Sequence, residues 1–338
     1  MRTLSARELN RTLLHRQFLL RRTRLPVVQA VGRLVALQAQ YAPSPYVALW
    51  SRVEGFGKEQ LTSALRRGTL LKGTVMRGTL HVVTRQLYPF LQAGHVESQQ
   101  GRVKGQRLDP VGLAARWPDE PLSGPEIRAL AAELLGTDDR WAIEFTLRAM
   151  PGVRTAPLGE WPHHKPSPSV PWREPLASPE AGAARIVLNY LAAYGPASQA
   201  DIQQYTGFRA RQVTPSLDGL RTFADEHGRT LFDLPRAPLI AAQVPAPVRF
   251  LPWFDSIILA HKDRTRILPA RYWETVMRTK NATTLATFTV DGLIAGSWEV
   301  AKVRGAWKVT TEAFEPLPTP VRRGVADEAT RLQAFYNS

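Results

Sequence analysis

Between Ser178 and Leu234 the chain spells out three short helices followed by a hairpin, and few folds accommodate that order. Ser178-Pro179-Glu180 opens the first helix with a capping hydroxyl, a proline at the first helical position and an early acid. Ile186, Val187, Tyr190 and Leu191 then recur at helical spacing, and Gly195-Pro196 stops the run. Ser198 caps a second helix, QADIQQYT, which Gly207 ends. The third, RARQVTPSLDGL, carries Arg209 and Arg211 at its start, and Pro215 bends it or delays it. TFADEHGRTLFDLP reads as strand, glycine turn, strand. Three helices and a hairpin make a winged helix, in which the third helix is the candidate DNA reader.

The same order recurs less cleanly upstream. Residues 5–21, 26–40 and 58–68 are predicted helices, and LLKGTVMRGTLHVVT supplies two β-rich runs around Gly78. Stretches 122–135 and 139–149 are predicted helices ahead of the proline-rich TAPLGEWPHHKPSPSVPW, a loop or long wing. From residue 250, FLPWFDSIILAH, TTLATFTVDGLIAGSWEV and AWKVTTEAFEPL are strand-like, Asp291-Gly292 forms a hairpin turn, and a helix at about 324–335 closes the chain. The expected class is α+β: winged helices over 1–88, 89–176 and 177–249, then a small barrel-like β-domain over 250–338. The units share element order and not sequence.

Charge narrows the function. Residues 1–110 hold 18 basic and 5 acidic side chains, while the other 228 hold 26 and 24. A surplus confined to one third of the chain points to a polyanion-facing surface there, the alternative being a solvated basic face. The absence of cysteine excludes disulfides and thiolate metal sites. No run of about 18 apolar residues is present to span a membrane. A cytoplasmic monomer without cofactor, metal or protein partner is expected. No phosphate-binding P-loop, nucleophile elbow or dinucleotide fingerprint occurs, so phosphoryl transfer and triad hydrolysis are poor candidates.

On the helix from Pro26, residues Val27, Val31, Leu34 and Val35 share a face, and Gln38 falls where the next apolar residue is due. Gln40 follows before Tyr41-Ala42-Pro43 breaks the helix. A buried glutamine must be hydrogen-bonded or cost a few kcal/mol, so the pair either satisfies local carbonyls at a helix end or does chemistry. On an ideal helix two residues so spaced point about 200° apart, so one site needs the helix to end or distort. Arg77, Thr79 and His81 share one face of an extended segment, as a phosphate-contacting row or as an ordinary polar wing face. Arg66, Arg67, Arg77, Thr79, His81, Arg209 and Arg211 are the candidate DNA contacts. MPGVRT reads as a plain turn, and His163-His164 as loop without metal partners.

The runs LVALQAQYAPSPYVALWSR and MRGTLHVV, with LPWFDSIILAHKDRTRIL and VDGLIAGSW, closely resemble the AlkZ/YcaQ-like winged-helix DNA glycosylases over essentially the whole chain. The resemblance implies three tandem winged helices and a C-terminal β-barrel. It also implies a catalytic Gln-apolar-Gln signature at Gln38-Ala39-Gln40, nearer the AlkZ branch, which is associated with self-resistance to DNA-alkylating natural products and release of interstrand crosslinks. The implied substrate is double-stranded DNA carrying cationic N-alkylated purines, whose base leaves without a general acid while an amide carbonyl holds the attacking water. A shallow, open site is expected, because a crosslinked base stays tethered to the opposite strand. A non-catalytic winged-helix regulator and a lesion-shielding protein are the competing classes.

Overall fold

A computed structural model describes residues 1–99, 114–154, 161, 168–278 and 283–338. The chain opens with β1 (Thr3–Leu4), α1 (Ala6–Arg16), α2 (Val27–Leu34), β2 (Leu37–Gln38), α3 (Ser44–Arg52), α4 (Lys58–Arg66), β3 (Leu70–Val75) and β4 (Thr79–Thr84). There follow α5 (Tyr88–Gln99), α6 (Gly124–Leu135), α7 (Arg140–Ala149), β5 (Gly152–Arg154) and β6 (Ser169–Pro171). Next come α8 (Pro179–Tyr194), α9 (Gln199–Thr206), α10 (Ala210–Val213), β7 (Arg221–Asp225) and β8 (Thr230–Asp233). The last stretch holds β9 (Arg249–Leu251), α11 (Ser256–Leu259), α12 (Trp273–Val276), β10 (Met277–Arg278), β11 (Thr283–Thr284), β12 (Thr287–Val290), β13 (Leu293–Val303), β14 (Ala306–Ala313) and α13 (Thr319–Asn337). The protein is a mixed α+β molecule with small sheets.

Local signals explain the boundaries that the sequence shows well. The Ser178 hydroxyl accepts from the Ala181 amide at 3.1 Å, as its place ahead of Pro179 requires. Ser198 and Asp201 form a reciprocal capping box, and Gly207 ends α9 with φ of 78°. Pro215 limits α10 to four residues before a short 3-10 turn. Asp291 and Gly292 both take positive φ at the β12–β13 hairpin. Other expectations fail. The helix from residue 26 stops at Leu34, six residues early, and α3 and α5 form where no element is predicted. FLPWFDSIILAH divides into β9 and α11, because Asp255 caps the Ile257 amide at 3.0 Å. The turn at 150–155 opens β5, and residues 155–160 and 162–167, including His163-His164, lie outside the described residues.

The sheets tie distant stretches together. One antiparallel sheet runs β2-β4-β3-β5-β6, so strands before and after residue 89 share it. β1 pairs parallel with β7, placing Thr3 opposite Ala224. A four-stranded sheet, β14-β13-β12-β9, lies against α13. Tyr190, Leu191 and Tyr194 of α8 share a core with Leu13, Val35, Val75 and Ile257. Val31, Leu34 and Leu37 share another with Trp50, Phe250, Trp298 and Phe335. Two buried bidentate ion pairs cross between stretches: Arg16 with Asp233, and Arg52 with Asp255 at 2.7 and 2.9 Å.

Replacing Arg52 by Ala leaves the buried Asp255 carboxylate without its counter-ion and is expected to cost about 3–5 kcal/mol. Arg52→Met with Asp255→Leu removes both charges and should recover much of that loss. Urea unfolding of the three proteins checks this, and a loss below about 1 kcal/mol in Arg52→Ala would contradict it.

Candidate active site

A tight turn decides where the glutamines sit. Val35 takes φ 69°, ψ −59°, and the Ala36 amide donates to the Leu34 carbonyl at 2.9 Å. These are the marks of the rarer, strained γ-turn. A β-branched residue in this region costs on the order of 1–3 kcal/mol and persists only where its surroundings enforce it. They do so here. Val35 is fully buried, the Tyr194 hydroxyl donates to the Leu34 carbonyl at 3.3 Å, and the Ser256 hydroxyl to the Ala36 carbonyl at 3.4 Å. Helix α2 therefore ends, and the chain emerges extended.

Extended, it pairs with β4, setting Gln38 opposite His81, and the Ala39 amide continues the pairing by donating to the Leu80 carbonyl at 2.8 Å. Residues two apart in extended chain share a face. Gln38 and Gln40 do so, and the Gln38 Nε2 donates to the Gln40 Oε1 at 2.5 Å. Gln38 is 6% exposed, and its Oε1 finds no hydrogen-bond partner among the described residues. Beside it lies a cavity of about 10 Å³ walled by Gln17, Ser44, Arg52, Asp255 and Ser256, room for about one water and far too little for a base. Gln40 is exposed and borders a cleft of about 250 Å³ in which Trp117 is the single aromatic among the described residues. The arrangement is a buried amide that fixes a second, solvent-facing amide, leaving the outer one to hold a water or a sugar.

The remaining candidates divide. His81 is 1% exposed, with Nδ1 on the Thr79 carbonyl at 2.9 Å. Burial first, and the Arg77 charge second, push its pKa down to about 3, so the ring is neutral. Arg77 is not in a strand: it turns the chain at φ 57° between β3 and β4, donates to the Tyr205 carbonyl and stacks 5.4 Å from the Tyr205 ring. The Thr79 hydroxyl bonds the Met76 carbonyl at 3.2 Å. Each of these three side chains bonds within the protein, Arg77 to Tyr205, Thr79 to Met76 and His81 to Thr79. Arg66 and Arg67 are exposed at the end of α4, and Arg209 and Arg211 are exposed at the start of α10. Tyr46 and Trp50, close to the glutamines in sequence, are buried in α3. The sequence reading missed Val35, Tyr194, Ser256 and the Arg52–Asp255 pair, although WFDS carried part of the resemblance. Among the described residues no metal-holding cluster of His, Asp and Glu forms.

A family model described as AlkZ-like, DNA glycosylase AlkZ-like, matches residues 31–335. Among solved structures the chain is similar to the Streptomyces sahachiroi DNA glycosylase AlkZ, with a TM-score of 0.77 and 20% identity over 99% of this chain and 97% of that one. No curated protein sequence matches.

His81 carries a pH prediction. Its pKa falls from an ordinary 6.5 when unfolded to about 3 when folded, so the unfolded chain binds more protons between those values. Stability should therefore be lost as pH drops from about 6.5 toward 3, by up to about 1.4 kcal/mol per pH unit for this group. Replacing His81 by Asn, which keeps a donor for the Thr79 carbonyl, should flatten the pH slope. An unchanged slope in chemical unfolding at pH 4 to 7 would show that His81 is not the buried neutral ring described.

Proposed function

We propose that this chain, which belongs to the AlkZ-like DNA glycosylase family, hydrolyses the N-glycosidic bond of cationic N-alkylated purines in double-stranded DNA. Gln38 and Gln40 act there as one unit. Bulky natural-product adducts and interstrand crosslinks fall within its range, consistent with a role in self-resistance to an alkylating antibiotic. Its organisation is three tandem winged helices, 1–88, 89–176 and 177–249, and a barrel-like β-domain, 250–338. It works as a cytoplasmic monomer.

The observation that carries this reading is the Gln38–Gln40 hydrogen bond, set where a buried amide meets an exposed one. An N7- or N3-alkylated purine already bears positive charge, so its departure takes the glycosidic electron pair and leaves a neutral base. The sugar becomes cation-like at C1′, and water must arrive there. Gln40 Oε1 accepts a hydrogen from that water and orients its oxygen lone pair toward C1′, while Gln38 Nε2 prevents the Gln40 amide from rotating. The new C1′–OH loses its extra proton to solvent. Neither amide is a strong base, and none is needed once the base has left. A small buried cavity and a cleft with one aromatic suit a lesion attacked from the groove better than a base swung into an aromatic cage. Arg66, Arg67, Arg209 and Arg211 serve as phosphate contacts, while Arg77, Thr79 and His81 hold the strand opposite Gln38.

Gln38→Ala and Gln40→Ala should each slow single-turnover base release by at least about 10²-fold, with DNA affinity within a few-fold. Uracil should not be excised. Wild-type release rates in both folded variants, measured by mass spectrometry of free bases from alkylated DNA, would remove the assignment.

A further inference from the structure

A cleft of about 910 Å³ shares no lining residue with the two glutamine cavities. It opens between the segment after α1, the last turn of α2, helix α8 and the loop that follows β8. Its lining includes Arg16, Arg21, Arg22, Arg33, Arg236 and His15, and no Asp or Glu among the described residues. Two of the arginines are committed: Arg16 to Asp233, and Arg22 to Glu328 and the Trp50 carbonyl. Arg21, Arg33 and Arg236 are exposed and make no hydrogen bond or ion pair among the described residues. Arg21 feels Glu54 only at longer range, and that carboxylate is already held by Arg24 at 2.8 Å.

We propose that this cleft seats the phosphodiester backbone of the DNA substrate, gripped by Arg21, Arg33 and Arg236, beyond the nucleotide being cut. The inference rests on the glycosylase reading above. Unpaired guanidiniums around a concave wall focus a positive field, and each has a planar fork suited to phosphate. The chain ties the cleft to the active centre. Arg33 stands on the last turn of α2, five residues before Gln38, so their Cα atoms lie within about 18 Å. A turn of B-DNA spans about 34 Å, longer than this separation. The backbone held here therefore lies within about one turn of the lesion.

The test compares wild type, an Arg21→Ala/Arg33→Ala/Arg236→Ala variant, and a charge-matched Arg304→Ala/Arg322→Ala/Arg323→Ala control whose arginines are exposed on β14's hairpin and α13. Binding to an undamaged duplex is measured by fluorescence anisotropy over a salt series. The cleft variant should bind at least about tenfold more weakly, and its log–log salt slope should be shallower by about 2 to 3, since each phosphate contact contributes about 0.9. Base release at saturating DNA should stay within about threefold of wild type. The inference is overturned if the cleft variant keeps wild-type affinity and slope, or if the control loses as much. Wild-type protein that binds no DNA at all would instead overturn the glycosylase reading itself.

Discussion

Everything that makes the glutamine pair possible depends on the γ-turn at Val35. In an unbroken helix Gln38 and Gln40 would point about 200° apart and no single water could meet both. The turn ends the helix three residues before Gln38 and converts a helical spacing into an extended one, where the same two residues share a face. Such a conformation is costly for valine, and the structure holds it from several sides. Tyr194 comes from α8, Ser256 from the start of α11, and β4 supplies the register. The WFDS segment thereby acquires a physical meaning: its aspartate holds Arg52 of α3, and its serine holds the carbonyl that follows the strained residue. Segments more than 200 residues apart meet at one turn.

This explains what the sequence disclosed and what it hid. Ser178-Pro179, Ser198 and Gly207 mark helix ends because the caps are local, made by groups within three or four residues. Asp291-Gly292 marks a hairpin for the same reason. The end of α2 carries no such mark. Val35 is neither glycine nor asparagine, no proline follows until Pro43, and the groups that stop the helix lie on distant segments. Periodicity alone therefore extends it through Gln40. Likewise α3 looks like surface turn beside Pro43 and Pro45, yet all nine of its residues are buried. The glutamines themselves were legible, as polar residues in an apolar pattern and through the family resemblance. Their geometry was not.

The charge pattern shows a similar division. The basic surplus in residues 1–110 suggests a surface turned toward a polyanion, but part of it is internal. Arg11, Arg16 and Arg52 are buried and paired with Asp291, Asp233 and Asp255. Arg77 holds Tyr205. Counting charges along a sequence cannot separate a guanidinium that fastens two segments from one that faces solvent, because arginine suits both tasks. The carboxylate partners lie beyond residue 200, which is part of why the first third looks so basic when taken alone.

The central claim is that Gln38 and Gln40 work as one device, the buried amide fixing the exposed one. A double-mutant cycle on single-turnover base release tests it most directly. If the pair is a unit, Gln38→Ala/Gln40→Ala releases base no more slowly than the slower single variant, because removing either amide already abolishes what the other contributes. Rate losses that multiply in the double variant would mean two independent contributions, and would contradict the account.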